Sequence, residues 1–409
     1  MNQTMSTGAV VTDWLPAHKS GACASMRAAN RKLNLVVGGS VGDDPYDCRT
    51  WSGSAAHLTR ALEETKCLDQ AIGLHLPPWQ DAILKARNYS TAYSTWRLNF
   101  YLDSAYRNAL TRSAAKMDAV RQSTSPFVQI GAMYSLPQAV EHRVPCFSYH
   151  DGNIVEALKS GYGFKGVSAK RIDGAIRYEQ KVAREMTGVF TFSEYLRKSF
   201  IADFGLDENR VFNVGGGVNI DDMPEAVPNK NYARREILFV GADFERKGGN
   251  QLLSAFRIVR NTLPDAKLHI VGPRHIPPGA DRPGIIFHGN LNKSVPAERN
   301  ELYRLYRSSS FFVLPSKYEP FGIAPLEAML FQLPCIVTDG WALREFVMPG
   351  VNGALVEKDS VDNLVAALLT FCNSPDKLAQ MGQRSRETVL GNYLWPRVVA
   401  KMAAAANLN

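Results

Sequence analysis

Short apolar runs recur along this chain and are separated by longer stretches in which apolar residues follow helical spacing. In the first half these runs lie at residues 33–38, 70–74, 127–130, 146–149, 189–192 and 211–214. In the second half they lie at residues 237–241, 268–272, 285–288, 311–314, 335–338 and 354–356. Strands buried on both faces of a parallel sheet are typically continuous apolar runs, and their alternation with helices indicates βα units. The pattern predicts an α/β protein with two successive Rossmann-like sheets.

The domain boundaries follow from breaks in this pattern. Residues 1–30 lack periodicity and are predicted to form a loose N-terminal arm. Residues 223–232 are polar and contain proline, which is typical of a linker. We therefore predict one Rossmann-like domain at 31–222, a linker at 223–232, a second domain at 233–388 and a C-terminal helical segment at 389–409. Ligands of such sheets bind at the carboxyl ends of the strands, here in a cleft between the two domains.

Composition narrows the class of protein. The 409 residues carry a net charge of +8, and residues 226–409 hold most of the surplus, with 22 Lys and Arg against 16 Asp and Glu. This excess suits a phosphate-bearing ligand, although solvated surface residues would produce it too. No nucleic-acid-binding motif is present, so nucleic acid is not an expected partner. The six cysteines form no CxxC pair and are expected to be reduced thiols. No signal peptide and no apolar run of roughly 20 residues is found, which predicts a cytoplasmic protein.

The first motif with chemical content is Glu319-Pro-Phe-Gly-Ile-Ala-Pro-Leu-Glu327. It follows a buried-strand run and precedes a helical stretch predicted at residues 326–333. A glycine-containing turn that leads into a helix presents free N–H groups to an anion, typically a phosphate. Glu319 is predicted to lie before the helix and Glu327 in its first turn, so that the two carboxylates bracket an anion site. Each glutamate alone also fits a role as a loop residue or helix-dipole partner.

The second motif is Phe239-Val-Gly-Ala-Asp-Phe-Glu-Arg-Lys-Gly-Gly249, again between a strand and a helix. Lys247 beside two glycines allows an ammonium group and open backbone to reach a diphosphate together. An ordinary solvated turn is the alternative.

These motifs resemble the signature of retaining family-4 glycosyltransferases with the GT-B fold, in which two glutamates at this spacing flank a Phe-Gly pair. The resemblance continues at Glu345 and at residues 351–356, and it implies two Rossmann-like domains facing each other across a cleft. It implies that Lys247 binds the pyrophosphate, that Glu319 orients and supports the donor sugar, and that Glu327 binds the nucleotide ribose. Phe321, Gly322 and Ile323 fall in the same donor-binding turn. The C-terminal helix is expected to cross back to the first domain.

In the first domain, the resemblance implies a glycine loop after the first strand and a histidine after a later strand. Gly53, just before a helix, and His150, at the end of the run 146–149, occupy these positions. The family usually has an arginine five residues before the lysine, where this chain has Ala242. Arg246, adjacent to Lys247, is the candidate replacement.

The implied activity is metal-independent sugar transfer with retention of anomeric configuration. Glycosyltransferases of the GT-A type hold a metal ion with an Asp-x-Asp motif, and no two aspartates here are two positions apart. The expected substrates are a UDP- or GDP-linked sugar and a saccharide or lipid-linked acceptor in polysaccharide or glycoconjugate biosynthesis, with no cofactor. The alternatives are another GT-B activity, either phosphorylase or sugar-nucleotide epimerase, and a catalytically silent GT-B binding subunit. Residues 82–121 are basic and aromatic, which fits either contact with the inner face of a membrane or an ordinary amphipathic helix pair.

Overall fold

The computed structural model describes residues 32–406; the predicted N-terminal arm lies outside them. The described chain has twelve strands: β1 Leu33–Gly38, β2 Leu68–Leu74, β3 Phe127–Ile130, β4 Cys146–His150, β5 Gly188–Thr191, β6 Val211–Asn213, β7 Glu236–Val240, β8 Lys267–Val271, β9 Ile285–Gly289, β10 Phe311–Leu314, β11 Cys335–Thr338 and β12 Gly353–Val356. Its α-helices are α1 Ser54–Glu64, α2 Pro78–Arg87, α3 Tyr93–Tyr101, α4 Ser104–Ala114, α5 Asp118–Arg121, α6 Leu136–Ala139, α7 Ile154–Lys159, α8 Ala169–Glu185, α9 Glu194–Ala202, α10 Gly249–Thr262, α11 Pro296–Ser308, α12 Ile323–Leu330, α13 Leu343–Phe346, α14 Val361–Cys372, α15 Pro375–Asn392 and α16 Trp395–Ala405.

The strands form two six-stranded parallel sheets, one in each half of the chain. The order of the first is β2-β1-β3-β4-β5-β6, and that of the second is β12-β11-β10-β7-β8-β9. The second order is that of a doubly wound Rossmann sheet. Its strands all run parallel, and the order in which they are added switches sides between β7 and β10. In the first sheet the switch lies between β1 and β3. The predicted α/β architecture of two successive Rossmann-like sheets is therefore confirmed.

The inner strands are buried along their length, as their apolar sequences require. Every residue of β3, β10 and β11 is buried. One hydrophobic cluster extends from the α1 side of the first sheet into the second domain, while a second cluster lies on the opposite side of the first sheet. The two domains thus share part of their core.

The chain passes between the domains twice, after β6 and again between α15 and α16. Helix α15 packs on α12 of the second domain, and α16 packs on α1 of the first. Because α15 runs unbroken to Asn392, the predicted boundary at residue 389 falls inside a helix of the second domain. Glu345 in α13 adds a further connection, since its carboxylate accepts the backbone N–H groups of Glu194 (3.0 Å) and Tyr195 (2.7 Å) at the start of α9.

Asn219 is the central polar residue at this junction and is 2 % exposed. Its amide nitrogen donates to the Ser52 carbonyl at 3.0 Å and to the Ser54 hydroxyl at 3.1 Å. Its amide oxygen accepts the indole N–H of Trp395 at 3.1 Å, and its backbone carbonyl accepts from Lys293 at 3.3 Å. One residue therefore connects the loop before α1, the start of α16 and a loop of the second domain.

Helices α2 to α4 contain the aromatic and basic segment noted in the sequence. Part of it is core, because Phe100 and Tyr106 are buried. Four large side chains on or between α2 and α3, here called the exposed aromatic patch, are 60–72 % exposed: Trp79, Ile83, Tyr89 and Tyr93. Within residues 32–406, no helix combines the length and apolar character needed to cross a membrane.

Candidate active site

The loops that follow β7 and β10 diverge at the topological switch point of the second sheet, and both predicted donor motifs lie there. Residues 241–248 connect β7 to α10, and residues 315–322 connect β10 to α12. Open sheets of this kind bind ligands in the crevice at such a point. Both helices also begin there, so their free N–H groups point toward the same crevice.

Lys247 and Glu319 form an ion pair in this crevice. Their side chains are 15 % and 7 % exposed. Burial lowers the pKa of Lys247 below its usual value, although Glu319 opposes this shift. The two residues that were predicted to contact phosphate and sugar therefore lie in direct contact with each other.

Arg246 lies beside this pair. Its Nη1 donates to the backbone carbonyl of Tyr318 at 2.9 Å and lies 4.0 Å from Glu319 Oε2, while its Nε contacts Asp243. It therefore stays the candidate for a second cation in place of the family arginine that is missing at Ala242. The two cations are each matched by a carboxylate, so the helix N-termini are the unpaired source of positive potential.

Helix α12 begins earlier than the sequence indicated. Gly322 has φ +102°, a left-handed conformation, and the helix starts at Ile323, directly after it. A Cβ at Gly322 would lie 2.8 Å from Leu343 Cδ2, so the turn has no room for a side chain. Glu327 consequently lies in the second turn, and its predicted position in the first turn is wrong. The N–H groups of the first turn, beginning with Ile323, remain free for an anion.

Glu327 is almost fully buried and has two protein partners. It forms an ion pair with Lys293 and accepts a hydrogen bond from the Tyr306 hydroxyl at 3.2 Å. Burial raises its pKa, and both partners oppose that shift. A ribose could reach this carboxylate only by sharing it with Lys293, whose side chain is 32 % exposed. Lys293 could not be predicted, because a single lysine in a polar loop forms no pattern.

Phe321 does not direct its ring into the crevice. The ring packs edge-on against Phe192 of the first domain at 5.0 Å and also lies against Phe346 and Tyr393. Only its backbone is left for the predicted donor contact, and its side chain joins the two domains.

Gly53 and His150 lie in the first domain, on the side that faces this crevice. Gly53 is the N-terminal cap of α1 with φ +92°, and it follows Trp51 and Ser52, which are also left-handed. His150 is the last residue of β4 and is 2 % exposed. Burial lowers its pKa to about 3, so the ring is neutral at physiological pH. Its Nε2 is buried and has no hydrogen-bond partner among the described residues.

A cavity of about 240 Å³ lies beside the site, almost entirely within the first domain. Its first-domain lining comes from the ends of β1, β3 and β4 and includes Trp51, His150 and Asp151, while Tyr318 lines it from the second domain. The domains touch beside it, since a Cβ built on Gly152 would lie 3.4 Å from Pro320 Cβ. Burial raises the pKa of Asp151, and the charge of Glu319 adds to this effect. Asp151 therefore lies close to the Lys247–Glu319 pair across the cleft.

The structure brings the predicted residues into three groups. Arg246, Lys247 and Glu319 lie together at the switch point. Glu327 lies deeper, in contact with Lys293. His150 belongs to the opposite wall, while Gly53 does not line the cavity and lies next to Asn219 at the domain junction.

The chain resembles known sugar-transferring proteins in both sequence and fold. Residues 224–388 match the family described as glycosyl transferases group 1. The chain is 27 % identical over 241 residues to an MMP α-(1→4)-mannosyltransferase of Mycolicibacterium hassiacum, covering 58 % of this chain and 57 % of that protein. It is 25 % identical over 232 residues to a glycogen synthase of Mycobacterium tuberculosis, covering 55 % of each. The chain thus spans a little over half the length of these relatives.

The fold comparison extends over nearly the whole chain. The sucrose-phosphate synthase of Thermosynechococcus elongatus superposes with a TM-score of 0.66 at 16 % identity, covering 92 % of this chain and 98 % of that one. The fold and the switch-point site define a GT-B protein. The match to the glycosyl transferases group 1 family covers its second domain.

Proposed function

We propose that this protein transfers a sugar from a UDP- or GDP-linked donor to a saccharide or lipid-linked acceptor, with retention of anomeric configuration and without a metal ion. One observation carries the proposal: Lys247, Arg246 and two helix N-termini converge at the switch point, opposite the His150 wall of the cavity. The names of the mannosyltransferase and glycogen synthase relatives support sugar transfer. A role in polysaccharide or glycoconjugate synthesis follows from the expected acceptors.

The ion pair suggests how donor binding prepares the site. A diphosphate at the N-termini of α10 and α12 would compete with Glu319 for the ammonium group of Lys247. Once Lys247 pairs with phosphate, Glu319 is released toward the sugar, where its negative charge stabilises positive charge that develops at the anomeric carbon. Lys247 meanwhile stabilises the leaving diphosphate.

The opposite wall positions the sugar in this proposal. Neutral His150 can exchange one hydrogen bond with a sugar hydroxyl through its unpartnered Nε2. The left-handed turn that ends at Gly53 brings backbone close to the cleft. With no protein nucleophile assigned, retention would arise from attack on the same face that the diphosphate leaves.

The test is to incubate the protein with a panel of UDP- and GDP-hexoses in excess EDTA and to follow release of the nucleoside diphosphate. Release of the nucleoside diphosphate from at least one donor is expected. Proton NMR of the product should show the transferred sugar with the same anomeric configuration as in the donor. Lys247→Met should lose the activity, whereas Lys377→Met, at an exposed position on α15, should keep it. If the protein neither binds nor cleaves any of the donors, or if the anomeric configuration is inverted, the proposal is wrong.

We also propose that the exposed aromatic patch contacts a membrane that carries the acceptor. Trp79, Ile83, Tyr89 and Tyr93 lie on or between α2 and α3, together with the basic residues Arg87 and Arg97. Aromatic and basic side chains on one surface favour the interface of anionic lipids.

A further inference from the structure

A buried arginine in the first domain has no carboxylate partner. Arg107 lies on α4 and is 4 % exposed. Within residues 32–406, no carboxylate oxygen lies within 4.0 Å of a guanidinium nitrogen of Arg107, the distance that defines an ion pair. Its Nε donates to the Tyr101 carbonyl at 2.8 Å and its Nη1 to the Ala175 carbonyl at 3.3 Å. Neutral acceptors satisfy some N–H groups, but they do not compensate a buried charge.

The guanidinium group borders the cavity already described. Arg107 lines it together with His150, Asp151 and Glu179. The Tyr178 ring lies 5.2 Å from the guanidinium carbon and offsets part of the cost of burying the charge. The Nη2 atom of Arg107 has no hydrogen-bond partner among the described residues, so its N–H groups remain available to a ligand.

Glu179 compensates this charge only in part and from beyond ion-pair distance: burial lowers the pKa of Arg107, and the charge of Glu179 opposes that shift. It is buried on α8, and one carboxyl oxygen accepts the backbone N–H of Ile154 at 3.0 Å. Burial raises its pKa to about 7, against the opposing effects of Ile154 and Arg107. Near neutral pH a large fraction of Glu179 is therefore protonated and acts as a hydrogen-bond donor. The cavity offers a permanent cation beside an acid that is only partly ionised.

A structural role would need only the two carbonyl contacts, which connect α4 to α8 and to the end of α3. It would explain neither the position of the guanidinium at a cavity nor its lack of an ion-pair partner. A ligand anion explains both, because planar guanidinium pairs well with carboxylate and phosphate. The volume of about 240 Å³ is below the range of roughly 300–1,000 Å³ of drug-sized pockets, which suits a group no larger than a single sugar unit.

We infer that this cavity binds the acceptor as an acidic saccharide, with its carboxylate or phosphate group paired to Arg107 and its sugar ring toward His150 and Tyr318. The inference rests on the proposed function, since it names the acceptor class of the same site. It concerns the first-domain wall alone and can be tested without a donor sugar.

The experiment compares three probes on the full chain by calorimetry: methyl β-glucuronide, methyl β-glucoside and glucose 6-phosphate. The first two differ only in the carboxylate, so a charge-assisted contact should make the glucuronide bind about tenfold tighter or better. Tight binding of glucose 6-phosphate alone would assign the anion as a phosphate ester. Equal binding of all three probes, or no binding of either acidic probe, would overturn the inference.

Variants separate this role from folding and from donor chemistry. Arg107→Met should remove the preference for the acidic probe, and Arg107→Lys should keep part of it. Arg112→Met, on the same helix but exposed, is the matched control and should behave as the wild type. Nucleoside diphosphate binding should stay unchanged in all three variants, since it depends on the second domain. If Arg107→Met and Arg107→Lys are both folded and keep the full preference, the inference is wrong; loss of diphosphate binding in the wild type would contradict the proposed function instead.

Discussion

Lys247 and Glu319 should behave as a coupled pair, and a double-variant cycle can measure the coupling. Lys247→Met leaves Glu319, with a side chain only 7 % exposed, without its ammonium partner. Removing one member of a buried pair costs about 3–5 kcal/mol. Arg246 lies 4.0 Å away and Lys247 itself is 15 % exposed, so we expect a smaller loss of stability, about 2 kcal/mol. Combining Lys247→Met with Glu319→Gln removes both charges and should restore most of that loss.

Binding should follow a different pattern from stability. Lys247→Met should weaken the binding of UDP or GDP by roughly 10- to 150-fold, because a charge-assisted contact contributes about 1.5–3 kcal/mol. Glu319→Gln should make the bare diphosphate bind slightly more tightly, since Lys247 no longer has to exchange a carboxylate for phosphate. The same variant should have a lower turnover. The double variant should therefore be stable but bind weakly.

The assay pairs urea unfolding with calorimetric titration of the diphosphate for the four proteins of the cycle, with Lys377→Met as the control. A non-additive stability term of at least about 1 kcal/mol is expected for residues in contact. Two results would refute the reasoning: wild-type diphosphate affinity in Lys247→Met, or stability losses that simply add in the double variant.

Four further outcomes follow from the structure. Transfer should persist in excess EDTA, and activity restored only by Mn²⁺ or Mg²⁺ would contradict the metal-independent site. Between pH 4.5 and about 7, Glu179 is ionised in the unfolded chain but keeps its proton in the folded protein. The free energy of unfolding should therefore fall by up to about 3 kcal/mol as the pH rises through this range. Urea unfolding at each pH measures this slope, and Glu179→Gln should flatten it. Trp79→Ser with Tyr93→Ser should abolish flotation with anionic liposomes at low salt, and an absence of flotation in the wild type would remove the membrane proposal. Glu327→Ala should weaken nucleotide binding by about 1–3 kcal/mol, measured by titration, and wild-type affinity would show that it does not contact the ribose.

The architecture was predictable because its determinants are local. Buried parallel strands are continuous apolar runs, so strands such as β10 and β11 were located to the residue, and β7 to within one. The helix start at Ile323 was misplaced by three residues, since Pro325 marks a first turn but does not say which position of that turn it occupies.

The chemistry of the site was less predictable because it depends on pairs that are distant in sequence. Lys247 and Glu319 were each recognised from motifs, but their pairing across 72 residues was not. Lys293 lies 34 residues before Glu327, and nothing in its polar loop distinguishes it. Arg107 resembles any other basic residue of an amphipathic helix until the fold buries it.

The junction at Asn219 constrains how the two domains of this protein can be recombined with those of others. Its side chain and carbonyl together connect the loop before α1, Trp395 in the last helix and Lys293, the partner of Glu327. A chimera that joins the first domain of one protein to the second domain of another therefore cannot be cut at the linker alone. Its designer would have to transfer Asn219, Lys293 and Trp395 from the same parent, although they are scattered over three segments of the gene. Exchange of first domains should succeed when these three positions move as a unit and should yield misassembled proteins when the cut separates them.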